Sequence, residues 1–520
     1  MKYITKNFTL TPTFAALKKI LDRPLTRLQD LRNRENRQNY VSTERYLFDY
    51  RLTHLQPSVR ILFEKILDEL DFNAQRDDLF SGRPINVTEK RAALHPVLRA
   101  DYENPHFDFP LEALEYVHTS DVTIKSLSRK FQNGEWKGVT GKTLDTFVNI
   151  GIGGSYLGPK AVIELLKHPG LPSYRFLSNA DDVHVRDILE SIDPERSLFA
   201  IVSKSFTTSE TLQNARVIKE LLTERLGKDA VKHHMLAVTA APDKALEFGI
   251  SPHHILEMRP WIGGRFSVWS PAGLAVPFVL GYSVFDALKQ GAREADIHFL
   301  HRPPEKNIPI IWAFIHVFYA LTLSSDEVYV PYRERMEFLV DHFRQLTMES
   351  NGKSVQRDGK PVTYPTAGGV WGGTGTNVQH SFFQYLHQGT SVKPVYFLGS
   401  IGDETPFADN RKILLANLWA QGEALATGKD DPLPFSRFPG NRPSLRFLFD
   451  KTDAFNVGFL MATLEHKIFT ESVLWNINAF DQPGVELGKT LARKTLEKLE
   501  TGGVRQTDDP ALRFIFRHLP

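Results

Sequence analysis

The spacing of apolar residues changes from helical to strand-like near residue 144. In residues 1–100 apolar positions recur at helical spacing, as in SVRILFEKILDEL (58–70), which predicts a helical N-terminal part. Farther on, short β-type runs are each followed by a turn and a helical pattern: TFVNI (146–150), YRFLS (174–178), LFAIV (198–202) and HMLAVT (234–239). This alternation predicts parallel strands joined by crossover helices.

A second, looser series of strands and helices begins near residue 300. Its strands are EVYVPY (327–332) and VKPVYFLGS (392–400), and helical patterns return near 462–477 and 485–500. A chain of 520 residues is too long for one ordinary core. We therefore predict an α/β fold with two αβα sandwiches and parallel sheets. The predicted divisions are a helical N-terminal part (1–100), a first domain (101–290), a second domain (291–490) and a C-terminal helical extension (491–520).

Two long apolar stretches, 266–285 and 307–323, raise the question of a membrane span. The first contains Pro271 and Pro277, and the second is short and contains His316. Buried core helices are therefore the favoured interpretation. The N-terminal sequence lacks a continuous apolar signal segment, so we expect a soluble, cytoplasmic protein that does not associate with membranes.

The charge balance and the lack of cysteine narrow the classes of function. Lys and Arg total 63 against 61 for Asp and Glu, which argues against a nucleic-acid binder. The chain has no cysteine, which excludes disulfides, zinc ribbons, iron–sulfur clusters and a thiol nucleophile. A local group of basic residues could still bind a small anion.

A glycine-rich turn follows the first predicted strand, in TFVNIGIGGSYLGPK. Gly151, Gly153 and Gly154 lead into Ser155 and a helix. Glycine lets the backbone approach a ligand, and a helix N-terminus offers free N–H groups to an anion. Tyr156 stands where a dinucleotide fingerprint has its third glycine, which weakens a nucleotide interpretation. A tight turn without a ligand remains the alternative.

A second turn, in LFAIVSKSFTTSETLQNARVIKELL, collects hydroxyl groups between a strand and a helix. The hydroxyl residues are Ser203, Ser205, Thr207, Thr208 and Ser209, and Lys204 lies among them. Thr207 and Glu210 have capping-box spacing, which accounts for some of these hydroxyls but not for all of them and a lysine. Hydroxyls, backbone N–H groups and a cation together suit a phosphate. Because the Walker A spacing is missing, we favour a monophosphate ligand.

Four further positions are candidates for acid, base and cation chemistry, and each has a structural alternative. Glu349 lies on the last turn of a predicted helix, where the helix dipole disfavours a carboxylate; a solvated glutamate is the alternative. Arg265 follows two glycines among aromatic residues, which suits a cation fixed towards an anion. His380 falls in the first turn of a helix predicted from GGTGTNVQHSFFQYLHQGT and shares a face with His387, where a solvent-facing polar surface is the alternative. Lys489 lies on a helix after Pro-Gly, where a surface lysine is the ordinary case.

Together these segments resemble the glucose-6-phosphate isomerase family. The resemblance is carried by NVTEKRAALHPVLR (86–99), GIGGSYLGP, LSNADD, SKSFTTSET, WIGGRFSVWS, MESNGKS, GTNVQHSFFQYLHQGT, LEHKIF (464–469) and DQPGVELGK, in the family's order. It implies two sugar-isomerase (SIS) domains and a homodimer. It also implies the reversible conversion of glucose 6-phosphate to fructose 6-phosphate, in glycolysis and gluconeogenesis, with no metal and no organic cofactor.

The resemblance also implies a role for each matching residue. It implies that Glu349 is the base that moves a proton between C2 and C1 through a cis-enediol, and that Arg265 stabilises the enediolate oxygen. It implies that His380, supplied by the neighbouring subunit, opens the sugar ring with Lys489. The implied phosphate pocket consists of Ser203, Lys204, Ser205 and Thr208, with Ser155, Gln345 and Gln482 near the sugar.

The chain departs from the commonest family pattern at four places. Tyr156 replaces an aspartate, Gly373 and Thr374 replace Glu-Pro, and Pro483 replaces a tryptophan. The interval between the histidine and lysine motifs is also short. None of these departures removes an implied catalytic group.

Two other classes of function remain as alternatives. A non-catalytic sugar-phosphate sensor would need the 203–208 turn but not Glu349, His380 or Lys489. A nucleotide-dependent enzyme would need a complete glycine fingerprint or a Walker A motif, and the sequence contains neither.

Overall fold

The computed structural model describes residues 6–501 and 509–519. Its strands are β1 (Tyr40–Ser42), β2 (Tyr46–Asp49), β3 (Thr146–Ile150), β4 (Ser173–Leu177), β5 (Ser197–Val202), β6 (Met235–Thr239), β7 (Ile255–Glu257), β8 (Glu327–Pro331), β9 (Val370–Gly372), β10 (Val395–Ser400) and β11 (Ser444–Phe449). Its α-helices are α1 (Phe14–Leu21), α2 (Leu28–Asn33), α3 (Pro57–Glu69), α4 (Phe72–Phe80), α5 (Leu111–Gln132), α6 (Leu157–Leu166), α7 (Asp182–Glu190), α8 (Ser209–Leu226), α9 (Ala230–His234), α10 (Pro242–Phe248), α11 (Ala275–Leu280), α12 (Tyr282–His301), α13 (Ile308–Thr322), α14 (Glu337–Asn351), α15 (Phe383–Gln388), α16 (Ala408–Thr427), α17 (Ala454–Trp475), α18 (Glu486–Glu500) and α19 (Pro510–His518). The chain divides into two units, Met1–Ala479 and Phe480–Pro520.

The first sheet is parallel throughout, with strand order β4-β3-β5-β6-β7. One face packs against α8, in a core that includes Val148, Phe199, Ile201, Ile218 and Leu222. On the opposite face, Phe147 contacts Phe278 of α11 with ring centroids 4.9 Å apart. Because helices cover both faces, the strands are continuous apolar runs rather than alternating ones.

The second sheet is mixed, with strand order β1-β2-β11-β10-β8-β9. Strands β9, β8, β10 and β11 are parallel, whereas β2 pairs antiparallel with β11 and with β1. One face packs against α15 and α16, through Phe383, Leu386, Leu418 and Leu425. On the other face, Trp312 of α13 contacts Tyr396 and Phe447. Each sheet is therefore the middle layer of an αβα sandwich.

The predicted α/β class with two sandwiches is confirmed, and each predicted strand is present within a few residues of its expected position. The prediction missed β7, β9 and β11, and it missed β1 and β2, which lie inside the segment expected to be helical, 1–100. Strand β2 gains its hydrogen bonds from β11, at the far end of the same unit, so no local pattern reveals it. The division into domains at residues 100, 290 and 490 remains a prediction.

Helices α12 and α17 lie in contact through two glycines. A Cβ at Gly291 would stand 1.8 Å from the carbonyl oxygen of Phe455, and one at Gly458 would stand 1.9 Å from that of Leu288. Such distances allow only glycine at these positions. As a result α17 is buried along nearly its whole length, including its charged residues.

The two long apolar stretches of the sequence form core helices. Stretch 266–285 contains α11 and the start of α12, and stretch 307–323 forms α13, which is almost completely buried. Within the described residues, no helix combines the length and the apolar character that crossing a membrane requires.

The second unit contains a 3₁₀-helix, Pro483–Val485, followed by α18 and α19. The helix predicted near 485–500 is confirmed by α18. Lys489 lies in its first half, as expected from the Pro-Gly pair that precedes it.

Candidate active site

The two predicted turns open at the same edge of the first sheet. Strands β3 and β5 are paired in parallel, so the turns that follow them, 151–155 and 203–208, are neighbours. From β3 the chain moves to β4 on one side, whereas β5 pairs on the other side of β3, so the strand order reverses at this point. Ligands of open parallel α/β sheets bind at such reversals.

The glycine turn lies directly against the loop that carries Arg265. A Cβ at Gly154 would stand 2.0 Å from the carbonyl oxygen of Gly264, so only glycine permits this approach. The end of the turn is the 3₁₀-helix Gly153–Ser155, and Asn149 Nδ2 donates to the carbonyl of Ser155 at 3.1 Å. The glycines therefore bring Ser155 and Arg265 into one region, which sequence spacing could not establish.

The hydroxyl turn is held in an unusual backbone conformation. Phe206, in its middle, adopts φ +51°, which is costly for a bulky side chain, and its ring is buried against Phe248. Ser205 Oγ and Thr207 Oγ1 lie 2.7 Å apart, and Ser203 Oγ donates to Thr208 Oγ1 at 3.4 Å. The hydroxyl residues therefore lie on both sides of Phe206, whose buried ring holds the turn in place.

The predicted capping box is wrong. Helix α8 begins at Ser209 and its N-cap is Thr208, but the side chain of Thr208 forms no capping hydrogen bond. Thr207 lies one residue before the N-cap position, and its Oγ1 is 2.7 Å from Ser205 Oγ. The hydroxyl groups are therefore not explained by capping.

Lys204 ties the hydroxyl turn to the Arg265 loop. Its Nζ donates to the carbonyls of Pro260 at 2.6 Å and Ile262 at 2.9 Å. Burial, together with the nearby charge of Arg91, lowers the pKa of Lys204 to about 8. Because an ammonium has three donors, these two bonds still leave one for a ligand.

Arg265 is a buried cation that donates to several different acceptors. It lies on the 3₁₀-helix Gly264–Phe266, and its side chain is 2% exposed. Nη1 donates to Glu349 Oε2 at 3.0 Å, Nε donates to Ser350 Oγ at 2.6 Å, and Nη2 donates to the carbonyl of Ala479. The guanidinium is therefore fixed in position as well as in charge.

Glu349 lies on the last turn of α14, as predicted, and its carboxylate is reachable. Its side chain is 26% exposed, and Gln345, one turn earlier, donates from Nε2 to Glu349 Oε2 at 3.3 Å. The helix dipole disfavours a carboxylate at this end, and the Arg265 guanidinium supplies the compensating charge. The arrangement suits proton exchange with a bound molecule.

His380 does not lie in the first turn of an α-helix, so that prediction is wrong. It ends the 3₁₀-helix Asn377–His380, and α15 begins only at Phe383. Between the two helices the ring of Phe382 packs edge-on against Trp371, with ring centroids 5.1 Å apart. His380 is exposed, and within the described residues no hydrogen bond joins it to Glu349.

Two predicted residues belong to the second unit. Gln482 precedes the 3₁₀-helix Pro483–Val485. Lys489 is exposed on α18, and its Nζ lies 2.8 Å from Glu486 Oε1. The structure thus brings together Arg265, Gln345 and Glu349, whereas Lys489 is described only within its own helix.

Sequence reasoning missed two side chains beside the predicted site. Ser350 accepts from Arg265, and its position directly after Glu349 was an available signal. Arg91 forms an ion pair with Glu89 and acts electrostatically on Lys204. Arg91 lies in segment 86–99, which carried part of the family resemblance without being given a role.

One cluster in the described residues has the composition of a metal site but not its chemistry. His316, Glu327 and Glu471 are fully buried, with potential ligand atoms within 4.8 Å of one another. Lys467 Nζ, however, lies 2.9 Å from Glu327 and 2.7 Å from Glu471. This ammonium already occupies the position between the carboxylates that a cation would take.

Comparisons with known proteins agree with this geometry. The phosphoglucose isomerase family model matches residues 49–513. The chain is 39% identical over 491 residues to the glucose-6-phosphate isomerase of Burkholderia multivorans, which covers 90% of each chain. It is 39% identical over 460 residues to glucose-6-phosphate isomerase 1 of Chromohalobacter salexigens, which covers 87% of this chain and 84% of the relative.

A solved structure extends the similarity to the fold. The crystal structure of a glucose-6-phosphate isomerase from Chlamydia trachomatis matches with a TM-score of 0.87 and 30% sequence identity, over 98% of this chain and 99% of that chain. The similarity therefore spans both sheets. On this evidence, together with the family match over most of its length, the chain belongs to the phosphoglucose isomerase family.

Proposed function

We propose that the ion pair of Arg265 and Glu349 is the centre at which this member of the phosphoglucose isomerase family interconverts glucose 6-phosphate and fructose 6-phosphate. The observation that carries the proposal is a reachable carboxylate whose Oε2 lies 3.0 Å from a buried guanidinium. This ion pair lies beside the turns 151–155 and 203–208, which suit a phosphate. A sensor would need the phosphate turn alone and would have no use for this pair.

Glu349 is the base of the reaction. Its carboxylate takes the proton from C2 of the open-chain aldose, which leaves an enediolate with its charge on O1. The hydroxyl proton then passes from O2 to O1, and the carboxylate returns its proton to C1 to give the ketose. The reverse reaction uses the same steps in the opposite order. Arg265 stabilises the negative oxygen of the enediolate, because its charge is fixed before the reaction begins. Neither step requires a metal or an organic cofactor.

The 203–208 turn binds the phosphate, through Ser203, Lys204, Ser205 and Thr208. Ser155 and Gln345 contact the sugar, as does Gln482. The bonds from Lys204 to the carbonyls of Pro260 and Ile262 support this arrangement, because they link the phosphate end of the site to the Arg265 loop. A phosphate held here fixes the distance of the reacting carbons from the base.

Ring opening and subunit assembly are proposed from the sequence motifs. His380 moves a proton at the ring oxygen with Lys489, and His380 acts in the site of the neighbouring subunit of a homodimer. The exposure of His380 supports this assignment, because an exposed imidazole is available to a second chain. We also propose a cytoplasmic location.

Glu349→Gln tests the base. With EDTA present and no cofactor added, we expect kcat for fructose 6-phosphate to fall by about 10²–10⁴-fold, the typical contribution of a general base. The affinity for a sugar-acid phosphate that cannot isomerise should stay unchanged. Glu337→Gln, at the exposed start of the same helix, is the matched control and should retain wild-type kcat. A Glu349→Gln variant with most of its turnover would rule out Glu349 as the base.

The same variant tests the shared site. Glu349→Gln and His380→Ala should each be inactive as homodimers. When the two are unfolded together and refolded, mixed dimers should regain activity, because one of their two sites contains both wild-type residues. If the mixture stays as inactive as its components while gel filtration shows dimers, His380 does not act across the interface.

A further inference from the structure

The last turn of α14 is held from two sides. Arg265 binds Glu349 and the serine that follows it, as described above. On the other side Asn351, the final residue of the helix, is fully buried. Its Nδ2 donates to Glu471 Oε2 at 2.9 Å and to the carbonyl of Ile468 at 3.0 Å. Both acceptors belong to α17, so the end of α14 is tied to a helix that is buried along nearly its whole length.

Glu471 belongs to a group of four buried charged side chains that hold one another in place. We call this group the buried quartet: His316, Glu327, Lys467 and Glu471. Glu471 Oε1 lies 2.7 Å from both His316 Nδ1 and Lys467 Nζ. Burial alone would lower the pKa of His316 and Lys467, but the charges of the two carboxylates outweigh it and raise both. All four side chains are fully buried, so the members of the quartet are held by one another's hydrogen bonds and ion pairs.

The proposed reaction makes no direct use of these groups, and they come from α13, β8 and α17. A buried ionic cluster is costly to desolvate and is weak evidence for stability by itself. Its one described bond to the active-site helix is the bond from Asn351 to Glu471. The donor of that bond, Asn351, lies two residues after Glu349 in the sequence.

We propose that Asn351 is a positioning residue for the isomerisation and that the buried quartet holds it, so that Glu349 keeps the orientation needed for proton transfer. The proposal rests on the proposed role of Glu349. The ends of helices fray unless their last groups are tied, and a general base must stay within hydrogen-bond reach of the proton it moves. Here the base must serve two carbons in succession, so the tolerance for movement is small.

Asn351→Ala removes both donor bonds and leaves no new buried charge. We expect kcat to fall by about 10²-fold, the loss that a small misplacement of a catalytic group can cause. KM and the affinity for the non-reacting sugar-acid phosphate should stay unchanged. In D₂O the fraction of product that carries solvent deuterium should rise, because a displaced carboxylate exchanges its proton with solvent before returning it.

Asn307→Ala is the matched control. Asn307 is also fully buried, and its Nδ2 donates to the carbonyls of His298, Phe299 and Arg302. This variant loses comparable bonds away from α14, so it should lower Tm while kcat and deuterium incorporation stay at wild-type values. If Asn351→Ala behaves in the same way as Asn307→Ala, Asn351 is merely structural and the proposal is overturned.

Glu471→Gln gives a second route if Asn351→Ala does not fold. The carboxylate of Glu471 accepts hydrogen bonds at both oxygens, whereas an amide can accept at only one. The variant must therefore lose either the bond from Asn351 or those from His316 and Lys467. We expect the same fall in kcat and the same rise in deuterium incorporation. A folded Glu471→Gln enzyme with wild-type values for both would overturn the role of the quartet.

The double variant Asn351→Ala with Glu349→Gln separates the two proposals. If Asn351 acts through Glu349, its loss should not lower kcat further once the base is gone. Independent, multiplying losses would overturn the positioning role and leave Glu349 as the base. If Glu349→Gln alone retains turnover, both proposals fail together.

Discussion

Arg265→Lys is the substitution that best separates charge from geometry at this site. The native guanidinium reaches Glu349 Oε2, Ser350 Oγ and the carbonyl of Ala479 from three different nitrogens. A lysine carries the same charge at a single point. It can keep the contact with Glu349, but it cannot also span the other two acceptors.

The size of the effect follows from those contacts. A hydrogen bond from a charged donor contributes about 1.5–3 kcal/mol, so the loss of these two bonds lowers the free energy of unfolding by about 3–6 kcal/mol. The loss in catalysis is a separate quantity. Removing one preorganised electrostatic donor from a developing oxyanion typically costs about 10²–10³ in kcat, or about 2.7–4 kcal/mol in the barrier. We therefore expect a large fall in kcat with little change in KM.

The assay is steady-state turnover of fructose 6-phosphate at a temperature well below the Tm of the variant. Arg344→Lys is the matched control, because Arg344 lies on the exposed face of α14, the helix that carries Glu349, and pairs with Asp341. It should retain wild-type kcat. If folded Arg265→Lys also retained wild-type kcat, the fixed guanidinium would not stabilise the enediolate, and charge alone would suffice.

Two further predictions concern the phosphate turn and acid stability. Ser205→Ala combined with Thr208→Ala should raise KM while kcat at saturation stays near wild type, and an unchanged KM would place the phosphate elsewhere. His342 is fully buried, and burial lowers its pKa to about 4. Below pH 6.5 His342 is therefore protonated in the unfolded chain but stays neutral in the folded chain. The free energy of unfolding consequently falls as the pH decreases towards 4. His342→Phe should shrink the loss between pH 7 and pH 5 by about 2 kcal/mol, measured by urea unfolding at both values, and an unchanged loss would refute the assignment.

Local patterns in the sequence determined the parts of this protein that depend on near neighbours. TFVNI and LFAIV became strands because both of their faces are buried, which continuous apolar runs indicate. The glycines and hydroxyls after these strands marked the two turns. The helix that ends near Glu349 was visible from its apolar spacing and the Asn-Gly pair behind it. The order of the motifs then supplied the family and the site residues.

Only the tertiary structure decided which distant groups meet. Strand β2 pairs with β11 from the far end of the unit, and His380 ends a 3₁₀-helix beside the packed rings of Phe382 and Trp371 instead of beginning an α-helix. The capping box failed because α8 begins at Ser209, so that Thr208 rather than Thr207 holds the N-cap position. Arg265 and Glu349 lie 84 positions apart, and nothing in either segment predicts a 3.0 Å contact between them. Burial and long-range pairing select one partner among many that are locally equivalent, and that selection is a property of the packed fold rather than of any segment.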